Sequence, residues 1–184
     1  VLLQGPPNGA SGQNEQIETY NHTMFLMDTT VDIRAIGPQA EDAVRKAFRE
    51  IDRVEQLFSR YEPQSEISQI NTHAGEWVTI STEVFSLLEQ GVDFGNLTDG
   101  RFDVTIGPLV TLWGFGTDAR SVPSQEDLEE TLALVNFTAV QLDGLNSSVR
   151  IPAGFVLDLG GIAKGYAVDS AADVLREQGI ERGL

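Results

Sequence analysis

The chain has no cysteine in 184 residues, which excludes disulfides, thiolate catalysis and cysteine-held metals and leaves the redox compartment undetermined. Its two histidines, His22 and His73, exclude a histidine-rich metal centre. Basic residues are scarce: 12 lysines and arginines stand against 28 aspartates and glutamates, a net charge of -16. Such a chain repels nucleic acid and anionic lipid at long range. If its substrate is itself anionic, a divalent cation is the natural way to reconcile the two charges. No hydrophobic run approaches a membrane span. Residues 1–16 lack the basic and apolar regions of a signal peptide and are rich in Gly, Pro, Asn, Ser and Gln. They read as a vector-derived scar or a flexible tether and are set apart from the domain that begins at Ile17. Neither G-x-G-x-x-G nor G-x-x-x-x-G-K-[ST] occurs, so the nucleotide folds with those fingerprints are not supported.

What is present suits one globular domain with a real core: 41% of the residues are hydrophobic and 22% charged. Two strands are predicted over Ile17–Met27 and Thr29–Ile36, where Val31, Ile33 and Ala35 alternate with Asp32 and Arg34. An amphipathic helix follows from Gln39 to Phe58. Its apolar face is Ala40, Ala43, Val44, Ala47, Phe48, Ile51, Val54 and Phe58, and Asp42, Arg45, Glu50 and Arg53 mark a solvated face. Ser59–Asn71 reads as a compact polar loop with one helical turn capped by Ser65. Trp77–Ile80 is a short strand, and a helix starts at Ser81–Thr82–Glu83 and ends between Asn96 and Gly100. In Gly100–Gly116, Phe102, Val104 and Ile106 alternate as a strand and Pro108 opens a short helix. Trp113 and Phe115 either line an aromatic pocket or belong to the core. Asp103, set between apolar neighbours, needs a partner if buried, and a helix N-terminus or a ligand would serve. An acidic helix covers Ser124–Val135. A hairpin covers Ala139–Leu142 and Val149–Ile151, with Phe155–Leu157 as its partner strand. The mixture, without regular β-α-β alternation, predicts an α+β fold with a mixed, largely antiparallel sheet flanked by helices.

The chain is organised around Phe155–Asp169, FVLDLGGIAKGYAVD. It reads as a buried strand ending at Asp158, a turn through Gly160 and Gly161, and a helix from Ile162 to Gln178 that buries Ile162, Tyr166, Val168, Ala171, Ala172 and Leu175 and stops at Gly179. A strand, glycine turn and helix N-terminus make an anion site, because the first turn leaves backbone N–H groups unpaired. Lys164 in that first turn opposes the helix dipole, so an anion would compensate it. A plain connection with a solvated Lys164 fits the same residues.

Four blocks carry a family resemblance. Met27–Asp28–Thr29–Thr30–Val31 resembles an M-G-T-T-V motif, with Asp28 at the glycine. Ser59–Arg60–Tyr61 with Ser65, Ile70 and Asn71 resembles S-R-Y…S…I-N. Gly100–Gly114 resembles G-x-F-D-x-T-x-G-P-L-V-x-x-W-G, and Asp158–Asp169 resembles D-L-G-G-I-A-K-G-Y-A-x-D. These motifs are similar to those of the ApbE family, flavin transferases that use FAD to attach FMN to a protein threonine. The resemblance implies that Met27, Tyr61 and Asn71 contact the flavin nucleotide, that Arg101, Phe102 and Asp103 line the FAD cleft, and that Asp158 and Lys164 serve the same ligand. It also implies Mg²⁺ with the Gly161 carbonyl as one ligand, FAD as substrate and an acceptor protein as partner.

The implied reaction is metal-assisted attack of a threonine hydroxyl on the FMN phosphorus, with AMP departing. Asp158 and Asp103 are the carboxylates to watch. Family members continue well beyond Leu184, so Ile17–Leu184 is expected to be the N-terminal part of such a domain, with the general base and side-chain metal ligands lying later. Two other readings use the same site: a metal-dependent FAD pyrophosphatase, and a flavin-binding module without chemistry. The family's habit implies an extracytoplasmic, lipid-anchored precursor.

Overall fold

The computed structural model describes residues 17–118 and 120–184; the predicted tether over 1–16 lies outside them. Strands β1 (Glu18–Leu26) and β2 (Thr29–Gly37) form an antiparallel hairpin in unbroken register, from the Glu18 and Gly37 pair to the Leu26 and Thr29 pair. Between them Met27 and Asp28 both have positive φ, 52° and 56°. That is the type I′ pattern whose twist matches the flanking strands. Aspartate tolerates this left-handed region, whereas methionine there carries backbone strain.

Helix α1 (Ala40–Phe58) buries the eight residues that the helical spacing predicts, Ala40 through Phe58. They pack on Ile33 and Ala35, the inward residues of β2. The other face of α1 is more than a solvated surface. Arg53 Nη2 lies 2.7 Å from both Glu50 and Glu83, and Tyr166 donates to Glu83 at 2.7 Å. These contacts join α1 to α3 (Thr82–Leu97) and α6 (Gly160–Glu177). Residues far apart in sequence meet here, so helical periodicity alone could not show it.

Helices α2 (Glu66–Thr72), α3 and α5 (Gln125–Leu132) start at Ser65, Ser81 and Ser124. Each serine hydroxyl accepts from the backbone N–H three residues on, satisfying one orphan donor of the first turn. Helix α4 (Gly107–Leu112) has Pro108 in its first turn.

The strands divide into two three-stranded antiparallel sheets. One has the order β1-β2-β6, with β6 at Arg182–Gly183. The other has the order β3-β5-β4, from β3 (Val78–Thr79), β5 (Ser148–Arg150) and β4 (Gln141–Asp143). Two strand expectations are corrected. The partner of the β4–β5 hairpin is β3, not Phe155–Leu157. Phe102–Ile106 is not a strand, and a single parallel bridge, Ile106 to Val156, is what joins the two segments. Side-chain partners take the N–H groups of Phe102 and Thr105 and both backbone groups of Leu157, so alternation there does not produce a ladder. Helix α6 begins at Gly160, not Ile162, which puts both glycines inside its first turn and Lys164 just beyond it. Val168 is 61% exposed rather than buried; the buried stripe of α6 is Ala163, Ala167 and Ala171, which packs along α1.

At the bridge, a Cβ on Gly107 would fall 2.5 Å from the Val156 carbonyl oxygen, a backbone atom that cannot swing away. Gly107→Ala is expected to destabilise the fold by about 3 kcal/mol in urea unfolding, the scale of forced overpacking. A cost under 1 kcal/mol would mean that the junction is pliable. The Arg53 guanidinium bonded to Glu83 holds that carboxyl below the usual glutamate range, with Tyr166 adding to the effect. A depressed folded value gives stability that is complete above the ordinary glutamate value of about 4.3 and lost as pH falls below it. Tm measured from pH 6 to pH 3 should therefore fall less steeply for Glu83→Gln than for the parent; identical slopes would remove Glu83 from the acid response.

Candidate functional site

Backbone constraint builds the site. Leu157 is buried outside any sheet, so its polar groups need individual partners. Asn71, at the end of α2, supplies both: its Oδ1 accepts from Leu157 N–H at 2.7 Å and its Nδ2 donates to the Leu157 carbonyl at 3.0 Å. Asp158 N–H then donates to the Val104 carbonyl at 2.8 Å, and Gly107 N–H to the Val156 carbonyl at 3.2 Å. This fixes Asp158 at the entrance of α6, where its Oδ1 accepts from Gly160 N–H at 2.8 Å. The helix N-terminus is thus partly occupied by the chain's own carboxylate.

The other Asp158 oxygen, Oδ2, faces Arg60 Nε at 3.0 Å, with side-chain exposures of only 9% for Arg60 and 16% for Asp158. The pair is close in distance but misaligned in angle: Nε is fully buried and makes no hydrogen bond. The terminal nitrogens of Arg60 are engaged. Nη1 reaches the Gly107 carbonyl and Thr111 Oγ1, both at 3.2 Å, and Nη2 donates to the Tyr61 hydroxyl at 2.8 Å. The guanidinium carbon also lies 4.6 Å from the Tyr61 ring centroid.

Around this pair lies a cleft of about 90 Å³, lined by Met27, Asp28, Glu55, Arg60, Tyr61, Asp158, Gly160 and Lys164 among others. It brings together four of the sequence-predicted site residues, Met27, Tyr61, Asp158 and Lys164, from three motif blocks. The Tyr61 side is 56% exposed. Lys164 is exposed and makes no ion pair or hydrogen bond among the described residues. It is the cation in the cleft that remains available for an incoming anion.

The other predicted residues do not line this cleft. Asn71 has its amide committed to Leu157. Arg101 is exposed and reaches the Thr98 carbonyl at 3.5 Å. Phe102 packs against the start of α6: a Cβ on Gly161 would meet its ring at 2.8 Å, so only glycine admits the ring there. Asp103 finds its partner at a helix N-terminus. Oδ1 accepts from Thr105 N–H at 2.7 Å and Thr105 Oγ1 at 2.6 Å, and Oδ2 accepts at 2.8 Å from Phe137 N–H, which opens the 3-10 turn Phe137–Ala139. Trp113 and Phe115 stack on one another with centroids 6.4 Å apart. Arg60 is the residue to which sequence reasoning gave no role. Its signal was its place in the Ser59–Arg60–Tyr61 block, directly after the buried end of α1. A larger groove of about 660 Å³ lies elsewhere, between β2, β6 and α6, and is lined by none of the predicted site residues.

Magnesium prefers octahedral oxygen coordination that includes carboxylates. Among the described residues no three acidic or imidazole groups come together to hold a metal ion. Asp158 and Asp103 are already engaged, and the Gly161 carbonyl, second in α6, enters the helix ladder and keeps one lone pair. These residues do not by themselves fit a magnesium site.

Asp103→Ala removes three acceptor contacts from a partly buried network. It is expected to cost about 3 kcal/mol in urea unfolding; a cost under 1 kcal/mol would show that the network is dispensable to the fold.

The ApbE family's sequence profile matches residues 27–184. An FAD:protein FMN transferase of Vibrio cholerae is 37% identical over 180 residues, covering 94% of this chain and 53% of that protein. A Klebsiella pneumoniae protein of the same name is 35% identical, with 90% and 52% covered. The crystal structure of the ApbE protein from Thermotoga maritima superposes with a TM-score of 0.81 at 34% identity, covering 87% of this chain and 53% of that one. The flavin transferase ApbE from Vibrio cholerae gives 0.81 at 33% identity, with 91% and 56% covered. The chain spans about half the length of the curated relatives it matches. By profile, identity and fold, it belongs to the ApbE family.

Proposed function

We propose that this chain forms the flavin-nucleotide wall of an FAD:protein FMN transferase. The observation that carries the reading is the cleft in which Met27, Tyr61, Asp158 and Lys164, drawn from three separate motif blocks, share one surface. The names of the relatives give the chemistry: FAD as donor, FMN as the transferred group and a protein as acceptor. In the proposed reaction a threonine hydroxyl of the acceptor attacks the FMN phosphorus. The new O–P bond replaces the pyrophosphate P–O bond, AMP leaves with the bridging oxygen and its electron pair, and the hydroxyl proton is released to solvent. Lys164 faces the pyrophosphate and the Tyr61 ring offers its face to a flat heterocycle.

A cleft of about 90 Å³ is small beside the 300–1,000 Å³ of ordinary small-molecule sites. Together with the lack of an acid or imidazole cluster among the described residues, this supports the reading that the chain taken by itself holds the nucleotide without transferring it. Magnesium dependence belongs to the proposed whole reaction, in which the Gly161 carbonyl would be joined by carboxylates that the described residues do not offer. The proposal includes an extracytoplasmic, lipid-anchored location, as the family's habit implies. No described helix is long and apolar enough to cross a membrane.

Calorimetric titration with FAD tests the reading, with chromatography of the incubated flavin. Weak FAD binding is expected, unchanged within about twofold by Mg²⁺ and reduced about tenfold by Lys164→Met, as for loss of one charge-assisted contact. No FAD binding would overturn the flavin reading. AMP appearing with Mg²⁺ would overturn the view that this chain holds the nucleotide without chemistry.

A further inference from the structure

Arg60 is nine-tenths buried, and its Nε has no exposed surface. Nε therefore cannot touch a ligand, and the terminal nitrogens are taken up by the groups they hold. The groups around Arg60 come from three places: Asp158 at the entrance of α6, the Gly107 carbonyl and Thr111 hydroxyl on α4, and the Tyr61 hydroxyl beside it. A buried guanidinium is costly unless its charge is matched and its donors are used. Here the charge is matched by Asp158, and four of the five N–H groups lie on the terminal nitrogens that bond to α4 and Tyr61. The remaining one, on Nε, is spent on proximity to Asp158 without a hydrogen bond. A buried donor left unsatisfied in a native fold calls for a reason beyond stability.

We infer that Arg60 is the positioning residue of the nucleotide cleft: its planar fork ties the Tyr61 hydroxyl to α4 while its charge lies against the Asp158 carboxylate. This rests on the flavin reading above. Two features distinguish it from a stability role. Both groups that Arg60 orients line the cleft, whereas its α4 partners anchor it from behind. And the fork geometry matters, not only the charge: lysine would keep the positive charge beside Asp158 but could not bridge the Gly107 carbonyl and the Tyr61 hydroxyl together. With Asp158 paired to Arg60, Lys164 is the cation left to meet the ligand phosphates, in a cleft that also carries Asp28 and Glu55.

The test compares the parent chain with Arg60→Lys, Tyr61→Phe, the double variant and Thr111→Val. It measures FAD affinity by flavin fluorescence and the visible circular dichroism of bound flavin, well below each protein's Tm. Arg60→Lys is expected to weaken FAD about tenfold and to change the bound-flavin dichroism, which loss of stability alone would not move. The double variant should bind much as Arg60→Lys does, because the two residues act as one unit. Thr111→Val keeps the charge and removes one anchor from behind; a loss of about threefold is expected, and it serves as the test should Arg60→Lys not fold. Parent-like affinity and dichroism in Arg60→Lys, or in Thr111→Val where that variant serves, would overturn the positioning role while leaving the flavin reading intact. So would independent, multiplying effects of the Arg60 and Tyr61 changes. No FAD binding by the parent chain would overturn both.

Discussion

The burial of Leu157 outside any sheet, in the segment Val156–Asp158, is the constraint from which the rest of the site follows. A strand in a ladder satisfies its backbone by repetition, but this stretch must be satisfied one group at a time. Asn71 takes both polar groups of Leu157, Val104 takes the N–H of Asp158, and Gly107 approaches Val156 so closely that no side chain fits between them. These contacts tie α2, the 102–106 segment and α4 to the entrance of α6. Because each is directional, they leave Asp158 little freedom, and its carboxylate arrives at the helix N-terminus with one oxygen committed to Gly160.

Electrostatics then divides the cationic groups. In a chain with 28 acidic and 12 basic residues, cations near a nucleotide site are few. Arg60 is buried and used internally against Asp158, whereas Lys164, just past the first turn of α6, has no partner among the described residues. The buried and the solvent-facing cation of the cleft are thereby different side chains. The same economy explains Asp103, whose carboxylate closes a network with Thr105 and the 3-10 turn. A motif aspartate of this kind shapes the cleft's surroundings by holding the loop that places Phe102 on Gly161.

Strain and close approach mark the perimeter of the cleft. Met27 sits in left-handed backbone at the tip of the β1–β2 hairpin, an unfavourable place for an unbranched apolar residue, and its position brings it to the cleft wall. The hairpin register that carries it there is set by the alternation of β2, whose inward Ile33 and Ala35 could not slip by one residue without facing solvent.

Sequence alone determined the elements whose stability is local or periodic. The eight-residue buried face of α1, the serine cap of α2, the β1–β2 hairpin and the α+β class follow from spacing and capping chemistry, and the motif blocks pointed to the family. Tertiary structure decided what depends on partners distant in the chain. It made Phe155–Leu157 a clamped segment instead of a strand, turned Asn71 and Asp103 inward to backbone groups, and gave Arg60 its place between α4, Tyr61 and Asp158. The physical reason is that a side chain's periodicity records which face is apolar, whereas a hydrogen bond's destination depends on which donor or acceptor the folded chain brings within about 3 Å, and the decisive ones here lie far apart in sequence: 34 residues for Asp103 and Phe137, 86 for Asn71 and Leu157.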